Sequence, residues 1–254
     1  MRVTIDLAPL ALIFLLSLRL AVVFFMTPIF SNLTRLNTVR VLFTLAMSVT
    51  LVLGLDLPAP KIDWSVGSLL LAAMLELVLG SILAFGVFAA FAVFSVAGKL
   101  LDIQSGFGLG SVFDPVTRAS APIFSSMLNL LAVAVFFGLD GHHAMMRGLA
   151  YSVQQVPPGS ALAALPLAAV LNQFGLMFSL ALAFVAPVMF ALFLVEAGTA
   201  VLSRALPQMN VLVFGVAVKI VVGLAIFALS LGTVLPLMER IYASIFLYWE
   251  QVLT

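Results

Sequence analysis

The sequence predicts an all-α integral membrane protein, and three observations lead to that prediction. Of the 254 residues, 64% are hydrophobic and only 8% are charged, whereas soluble domains carry about 25% charged residues. The mean hydropathy is +1.29. The apolar residues are also collected into about six long segments, each near or above the roughly 18 residues that a helix needs to cross a bilayer. The chain is therefore better counted in membrane spans than in soluble domains.

The apolar segments are separated by short polar connections. In chain order they are Leu7–Phe30, Val41–Leu57, Val66–Ala97, Pro122–Leu139, Pro166–Ala197 and Val211–Met238. The first is too long for a signal peptide and lacks an obvious small-x-small cleavage site, so we expect it to be retained as a helix.

Two segments are longer than a bilayer requires. Val66–Ala97 would extend roughly 48 Å as a helix, against an apolar core of about 30 Å. Pro166–Ala197 is of similar length and contains Pro187. We expect such segments to tilt, to kink, or to break into paired half-helices.

Charge indicates neither an orientation nor a nucleic-acid partner. If the six segments alternate, four basic residues fall on one side and five on the other, so the positive-inside rule sets no direction. The apolar segments are then expected either to carry only local charge biases or to be buried against other subunits. A net charge of +1 argues against nucleic acid, and the absence of cysteine excludes disulfides and thiolate metal sites.

A glycine-rich polar stretch, Gly98–Pro122, separates the third and fourth segments. Its alternate glycines and its Asp114-Pro115 turn predict a flexible, non-helical loop. Its apolar side chains suit a displaceable hydrophobic plug that closes a pore, and the alternative is a re-entrant linker buried in protein. The predicted plug, within loop 104–121, comprises Gln104, Ser105, Gly106, Phe107, Gly108, Leu109, Gly110, Ser111, Val112, Phe113, Asp114 and Pro115.

Several charged side chains lie within or beside the apolar segments. A charge at the bilayer centre costs roughly 3 kcal/mol or more, so each needs a partner or a polar cavity. A structural salt bridge or snorkelling explains any one of them, whereas the set favours contacts with partner subunits or the lining of a pore. The predicted embedded charges and subunit contacts are Arg19, Glu76, Lys99, Asp102, Glu196, Arg204, Pro207, Gln208, Asn210 and Lys219.

No catalytic, cofactor or metal site is expected. The chain lacks Gly-x-Ser-x-Gly, His-Glu-x-x-His and a phosphate loop. Adjacent helical positions do not share a face, and Asp140 alone is a weak third ligand for His142 and His143. We interpret 140–165 as a polar linker with the two histidines at an interfacial turn.

Four blocks, taken in order, resemble the FliR family of flagellar export-gate subunits, whose injectisome counterpart is SctT. They are Leu15–Phe30 with Arg19 and Pro28, Gly98–Pro115 with Gln104 and Gly106, Phe136–Ser152 with Gly141-His142, and Arg204–Lys219 with Pro207–Val211 and Gly215. Two positions depart from the family pattern. Asn37 stands where relatives tend to have Pro, and Val216-Ala217 stand where they tend to have Phe-Pro.

The resemblance implies a non-enzymatic subunit of the flagellar type III export gate, in the bacterial inner membrane at the basal body. Implied partners are FliP and FliQ in a helical hetero-oligomer, FlhB, and the unfolded flagellar proteins that are exported. It also implies one membrane domain, 1–254, with a FliP-like part over 1–165 and a FliQ-like hairpin over 166–254. The alternatives are a virulence-secretion subunit of the SctT type and, from the residues alone, a secondary transporter with a site at broken helices.

Overall fold

The computed structural model describes residues 8–28, 37–55, 65–106, 122–160, 166–205 and 211–254, and these ranges contain helices and no strand. The helices are α1 (Ala8–Met26), α2 (Asn37–Gly54), α3 (Val66–Ser105), α4 (Ile123–Gly138), α5 (Gly141–Gln155), α6 (Leu167–Ala205) and α7 (Val211–Leu253). The predicted all-α class is confirmed.

Most of these helices are candidates for crossing a membrane. By length and composition, α1, α2, α3, α6 and α7 qualify individually, and α4 with α5 qualifies as one span broken between Gly138 and Gly141. Five or six candidate spans agree with the six apolar segments of the sequence. The structure thus supports an integral membrane protein.

The over-long segments do not break into separate helices. α3 has 40 residues, α6 has 39 and α7 has 43, so α7 is roughly 65 Å long, about twice the apolar thickness of a bilayer. The helix continues through Pro187 in α6 and through Pro236 in α7. Of the options left by the sequence, tilting and kinking therefore remain for α3 and α6, and a break does not.

The sequence predicts a non-helical loop from Gly98 onwards, but the structure is helical over the first part of this stretch. Residues 98–105 continue α3, and the helix ends only at Gly106, whose φ is 87° and whose N–H donates to Ile103 O at 3.2 Å. The prediction is wrong for residues 98–105 because no proline interrupts the helix between Gly98 and Asp114. Contacts of Gly98 and Asp102 with α4 stabilise the extra turns.

Two further predictions fail towards the C-terminal side. The predicted linker 140–165 contains α5, whose buried residues Met145, Leu149 and Val153 recur at helical spacing, and the histidines lie in its first turn. The last helix passes Met238 and ends at Leu253. Both errors have one cause, since hydropathy falls in these stretches while an apolar stripe continues at helical period.

The chain divides into two compact units. The first comprises Met1–Ala89, Asp140–Phe174 and Ser244–Thr254, and the second comprises Ala90–Leu139 and Gly175–Ala243. Helices α3, α6 and α7 contribute to both. The predicted division into FliP-like and FliQ-like parts at residue 165 stays a prediction.

Each unit has its own apolar core. In the first, Leu15, Leu16 and Leu20 of α1 and Trp249 of α7 are buried. In the second, Tyr242 of α7 contacts the rings of Phe91, Phe94 and Phe136, with centroid separations of 5.8, 5.8 and 5.4 Å. The Tyr242 hydroxyl donates to Ala132 O at 2.6 Å, which pairs a polar group buried in this cluster.

Candidate functional site

A buried ion pair connects α1 and α3 in the first unit. Arg19 Nε donates to Glu76 Oε2 at 2.6 Å, and Arg19 Nη2 donates to Glu76 Oε1 at 3.1 Å. Arg19 is 0% exposed and Glu76 is 2% exposed. Two parallel N–H···O bonds between a guanidinium and a carboxylate are the strongest geometry that such a pair adopts. Arg19 and Glu76 are therefore partners within the chain.

The same guanidinium caps the C-terminal end of α5. Arg19 Nη1 donates to Ser152 O at 3.1 Å, and Nη2 donates to Val156 O at 2.9 Å. Ser152 O also accepts the Val156 N–H at 3.0 Å, and a cation at this position opposes the negative end of the helix dipole. The Gly159 N–H completes the network by donating to Glu76 Oε1 at 2.9 Å. One ion pair thus joins α1, α3 and the segment after α5.

Close backbone contact makes this arrangement possible. A Cβ placed on Gly80 would lie 2.8 Å from Arg19 O and 3.2 Å from Arg19 Cα. Any residue larger than glycine would push α3 away from α1 at the level of the ion pair. Gly80 therefore allows the short separation of α1 and α3 at which Arg19 and Glu76 form their ion pair.

A second polar centre stands at the base of the glycine loop, in the second unit. Asp102 Oδ1 accepts from Phe124 N at 2.9 Å, and Oδ2 accepts from Ser125 N at 3.0 Å and from Ser125 Oγ at 2.6 Å. Pro122, at the N-cap of α4, makes no side-chain cap bond. Asp102 of α3 therefore takes over the capping of α4, and its charge suits the positive end of the helix dipole.

The contact that brings Asp102 to α4 depends on Gly98. A Cβ on Gly98 would overlap Ser125 Cα and would lie 2.8 Å from Ser125 N. The backbones of α3 and α4 are therefore in contact one turn before Asp102. Both ends of the loop, which leaves at Gly106 and returns at Pro122, are held at this crossing.

Two of the predicted site residues contact the same carboxylate oxygen of a third. Glu196 Oε2 of α6 accepts from Gln104 Nε2 of α3 at 3.1 Å and lies 3.3 Å from Lys219 Nζ of α7. The Glu196 side chain is 55% exposed and that of Lys219 is 16% exposed. The cluster connects the last turn of α3 to two other helices at a partly open position.

The other predicted site residues are exposed, bond within their own helix, or lie outside the described residues. Lys99 and Arg204 are exposed, and Ser105 is buried with its hydroxyl donating to Leu101 O of its own helix at 2.7 Å. Phe107 to Pro115, and likewise Pro207, Gln208 and Asn210, lie outside the described residues. The plug and the Pro207–Asn210 contacts stay predictions.

Sequence reasoning missed the polar bonds of α7. Tyr248 OH donates to Ile82 O at 3.0 Å, and Trp249 Nε1 donates to Leu83 O at 2.9 Å. Gly86 admits both rings, since its Cβ would lie 2.5 Å from Tyr248 Cδ1. The signal available was the aromatic content of 242–249 at the end of an apolar helix, where such rings need a hydrogen-bond partner when buried.

One group in the described ranges has the composition of a metal site. The possible ligand atoms of Asp140, His142 and His143 all lie within 4.8 Å of one another at the start of α5. Asp140 and His143 are exposed, and Asp140 Oδ1 lies 3.3 Å from His143 Nδ1. These residues could hold a cation with three ligands, one fewer than a closed structural zinc site uses.

Comparison with known proteins gives one consistent group. A family model described as "Bacterial export proteins, family 1" matches residues 10–245. The flagellar biosynthetic protein FliR of Bacillus subtilis is 26% identical over 247 residues, covering 96% of this chain and 94% of its own length. The FliR protein of Aquifex aeolicus is 27% identical over 228 residues, covering 89% and 87%.

A relative from virulence secretion matches a shorter region. The Yop proteins translocation protein T of Yersinia pestis is 27% identical over 163 residues, covering 63% of this chain and 62% of its own length. The similarity to flagellar relatives therefore extends over more of the chain.

Proposed function

Since this chain belongs to family 1 of the bacterial export proteins, we propose that it is a subunit of the flagellar type III protein export gate. The observation that carries this function is the family match over 10–245, on a chain with five or six candidate membrane spans. The protein is a structural component of the export apparatus and not an enzyme. Its polar centres are ion pairs and helix caps, which position helices.

The alternative is a gate subunit of a virulence type III system. The Yersinia relative favours it, but that relative matches 63% of the chain, against 96% for the Bacillus flagellar protein. The flagellar role is therefore the primary proposal. Deleting the gene separates the two, because a flagellar subunit is required for motility and for export of flagellar proteins into the medium.

In this function the glycine loop, without Gln104 and Ser105, which belong to the last turn of α3, closes the channel at rest. The support is that both ends of the loop are fixed where Asp102 bonds to Phe124 and Ser125, so only its apolar middle needs to move. A plug that excludes water by apolar side chains opens when those side chains are displaced.

The proposed partners are FliP, FliQ and FlhB, in the inner membrane at the flagellar basal body. Large apolar side chains on α2, α6 and α7 are exposed in the isolated chain, among them Leu53, Val201 and Leu229. Such surfaces need lipid or other subunits to cover them. The gate subunit should co-purify in a large complex, whereas a secondary transporter would bind a small solute by itself.

The plug is tested by deleting Gly106–Gly110 in the chromosomal gene and measuring ion leakage and flagellar export. Leakage should rise in the deletion strain. Because Gly106 also ends α3, a second variant, Phe107→Ser with Phe113→Ser, removes only apolar surface, and Phe107→Leu with Phe113→Leu is its matched control. Unchanged leakage and unchanged export in the deletion and serine strains would reject the plug.

A further inference from the structure

Three side chains of metal-binding type come together at the start of α5, where the sequence alone predicts no metal site. The possible ligand atoms of Asp140, His142 and His143 all lie within 4.8 Å of one another. Adjacent helix positions point roughly 100° apart, yet the centroids of the two imidazole rings are only 4.1 Å apart. The beginning of the helix therefore presents two imidazoles and a carboxylate at one position.

The carboxylate of Asp140 does not cap the helix that it precedes. An N-cap aspartate commonly accepts a hydrogen bond from an N–H of the first turn, but the Asp140 side chain makes no cap bond. The His143 N–H donates instead to the backbone oxygen of Asp140 at 3.0 Å. The carboxylate is turned towards the His143 imidazole, where Oδ1 lies close to Nδ1.

The spacing of these atoms suits a shared metal ion. Asp140 Oδ1 and His143 Nδ1 are 3.3 Å apart, which is longer than the roughly 2.9 Å of a typical N–H···O bond. Two ligand atoms on one tetrahedral zinc ion are separated by about 3.3 Å. The side chains of Asp140 and His143 are 76% and 66% exposed, so rotation about their bonds can bring all three ligand atoms to that spacing.

We propose that Asp140, His142 and His143 bind one divalent transition-metal ion, Zn²⁺ being the best fit, with water completing the coordination. Imidazole nitrogen and carboxylate oxygen are zinc ligands, whereas Mg²⁺ and Ca²⁺ take oxygen ligands. The positive end of the helix dipole opposes a cation here, and the Asp140 carboxylate offsets that opposition. With three protein ligands the site is open, unlike a four-ligand structural zinc site, and its ion is exchangeable.

A bound ion fastens the beginning of α5. The other end of this helix is already held, because Arg19 donates to Ser152 O and Val156 O. The ion links Asp140, which precedes the helix, to His143 in the first turn, and so opposes fraying there. With zinc bound, α5 is fixed at both ends, and the stability of its first turn depends on the zinc concentration.

The test is a zinc titration of the full chain in detergent, purified with a tag that contains no histidine. The background is low, because the two histidines of the chain are both in this cluster and the chain has no cysteine. Calorimetry should show one Zn²⁺ bound per chain, and no binding of Mg²⁺ at the same concentration. Zn²⁺ should also raise the unfolding temperature, since a ligand of the folded state stabilises it.

Two variants each remove one ligand and preserve the helix. Asparagine tolerates the left-handed backbone at position 140, and His143 is exposed. Asp140→Asn and His143→Gln should therefore unfold like the unchanged protein without zinc. Each should weaken zinc binding at least about tenfold, since even the loss of a residue that only orients a metal ligand has an effect of that size. Glu239→Gln removes an exposed carboxylate of α7 outside the cluster, and this matched control should bind zinc normally.

Hydrogen exchange locates the bound ion. Zn²⁺ should slow exchange of the amides of His143 and Ala144, which bond to Asp140 O, and should leave those of α2 unchanged. The proposal is overturned if the unchanged protein binds no zinc, if Mg²⁺ binds equally well, or if both ligand variants bind zinc as the control does. Zinc protection found only outside the first turn of α5 would also overturn it.

Discussion

Arg19 makes four hydrogen bonds at a position that is 0% exposed. Two go to Glu76 and two go to the carbonyls of Ser152 and Val156. A buried charge is tolerated only when a partner and further hydrogen bonds replace its hydration. Lysine has a single nitrogen and cannot reproduce this planar fork of donors. The ion pair therefore requires arginine.

Neutralising only one partner of this pair should strongly destabilise the protein. Glu76→Gln leaves the Arg19 charge buried without a counter-ion, and we expect a loss of about 3–5 kcal/mol in the free energy of unfolding. Replacing both residues by methionine should be less damaging than Glu76→Gln alone, since no orphan charge remains. Unfolding of the detergent-solubilised chain measures both variants.

Arg204→Gln is the control for the ion-pair experiment, because Arg204 is exposed near the end of α6. Its effect should stay within about 0.5 kcal/mol. A Glu76→Gln cost as small as that of the control would contradict the structural role of the pair.

Asp102 should control how firmly the glycine loop is attached. In Asp102→Asn an amide nitrogen must replace Oδ1 or Oδ2, and it then faces a backbone N–H donor of Phe124 or Ser125. We expect a loss of about 1–3 kcal/mol in the free energy of unfolding. Trypsin cleavage after Arg118, within the loop, should become faster.

Asp140→Asn is the matched control for Asp102→Asn. Asp140 also precedes a helix but makes no cap bond, and its left-handed backbone, φ 55°, suits asparagine. Its proteolysis rate should equal that of the unchanged protein. Equal rates for both variants would show that Asp102 does not hold the loop.

α3 packs closely against α1, α7 and α4, and glycines at three separate levels make these contacts possible. Gly80 contacts the α1 backbone, Gly86 admits the α7 rings, and Gly98 meets α4 at Ser125. Glycine weakens a helix interior by about 0.5–1 kcal/mol relative to alanine. These positions accept that loss because a Cβ would separate the helices.

Gly98→Ala should therefore destabilise the protein although alanine is the better helix former. The added Cβ meets backbone atoms of Ser125, which cannot rotate away as a flexible side chain could. Gly175→Ala is the control, since nothing lies within 4 Å of its Cβ position in α6. Thermal unfolding should shift down for Gly98→Ala and stay equal or rise for Gly175→Ala. A downward shift of equal size in both would refute the close-contact explanation.

The helices differ sharply in how much of their surface the chain itself covers. The most apolar window of α3 is 61% buried, whereas those of α2 and α7 are each 17% buried and that of α6 is 28% buried. Leu229 of α7 is 81% exposed. An export-gate subunit would bury such surfaces against its sister proteins.

Cysteine labelling tests that burial directly, because the chain has no cysteine of its own. Leu229→Cys and Val201→Cys should react with a membrane-permeant maleimide when the chain is expressed alone, and should be protected in the assembled gate. Leu83→Cys, at a position that is 0% exposed, should stay unlabelled in both states. Equal labelling of Leu229→Cys in both states would place that face against lipid.

Much of the fold and part of the site could be read from composition and local pattern. Scarce charge and long apolar segments predict helices in a membrane. A helix forms its backbone hydrogen bonds within one segment, which is required where no water is present. The same reasoning predicts that Arg19 and Glu76 need partners. It also singles out Gln104 and Asp102 beside the glycine loop, and the structure places both at its base.

Which groups pair with one another could not be read locally. Arg19 and Glu76 are 57 positions apart, and Asp102 caps a helix that begins 21 positions later, at Ile123. The continuation of α3 past Gly98 also depends on packing, since its contacts with α4 form only in the folded chain. Hydropathy describes how one segment partitions between water and lipid. A helix cap, an ion pair or a close glycine contact stabilises the fold only when two segments distant in sequence are in contact.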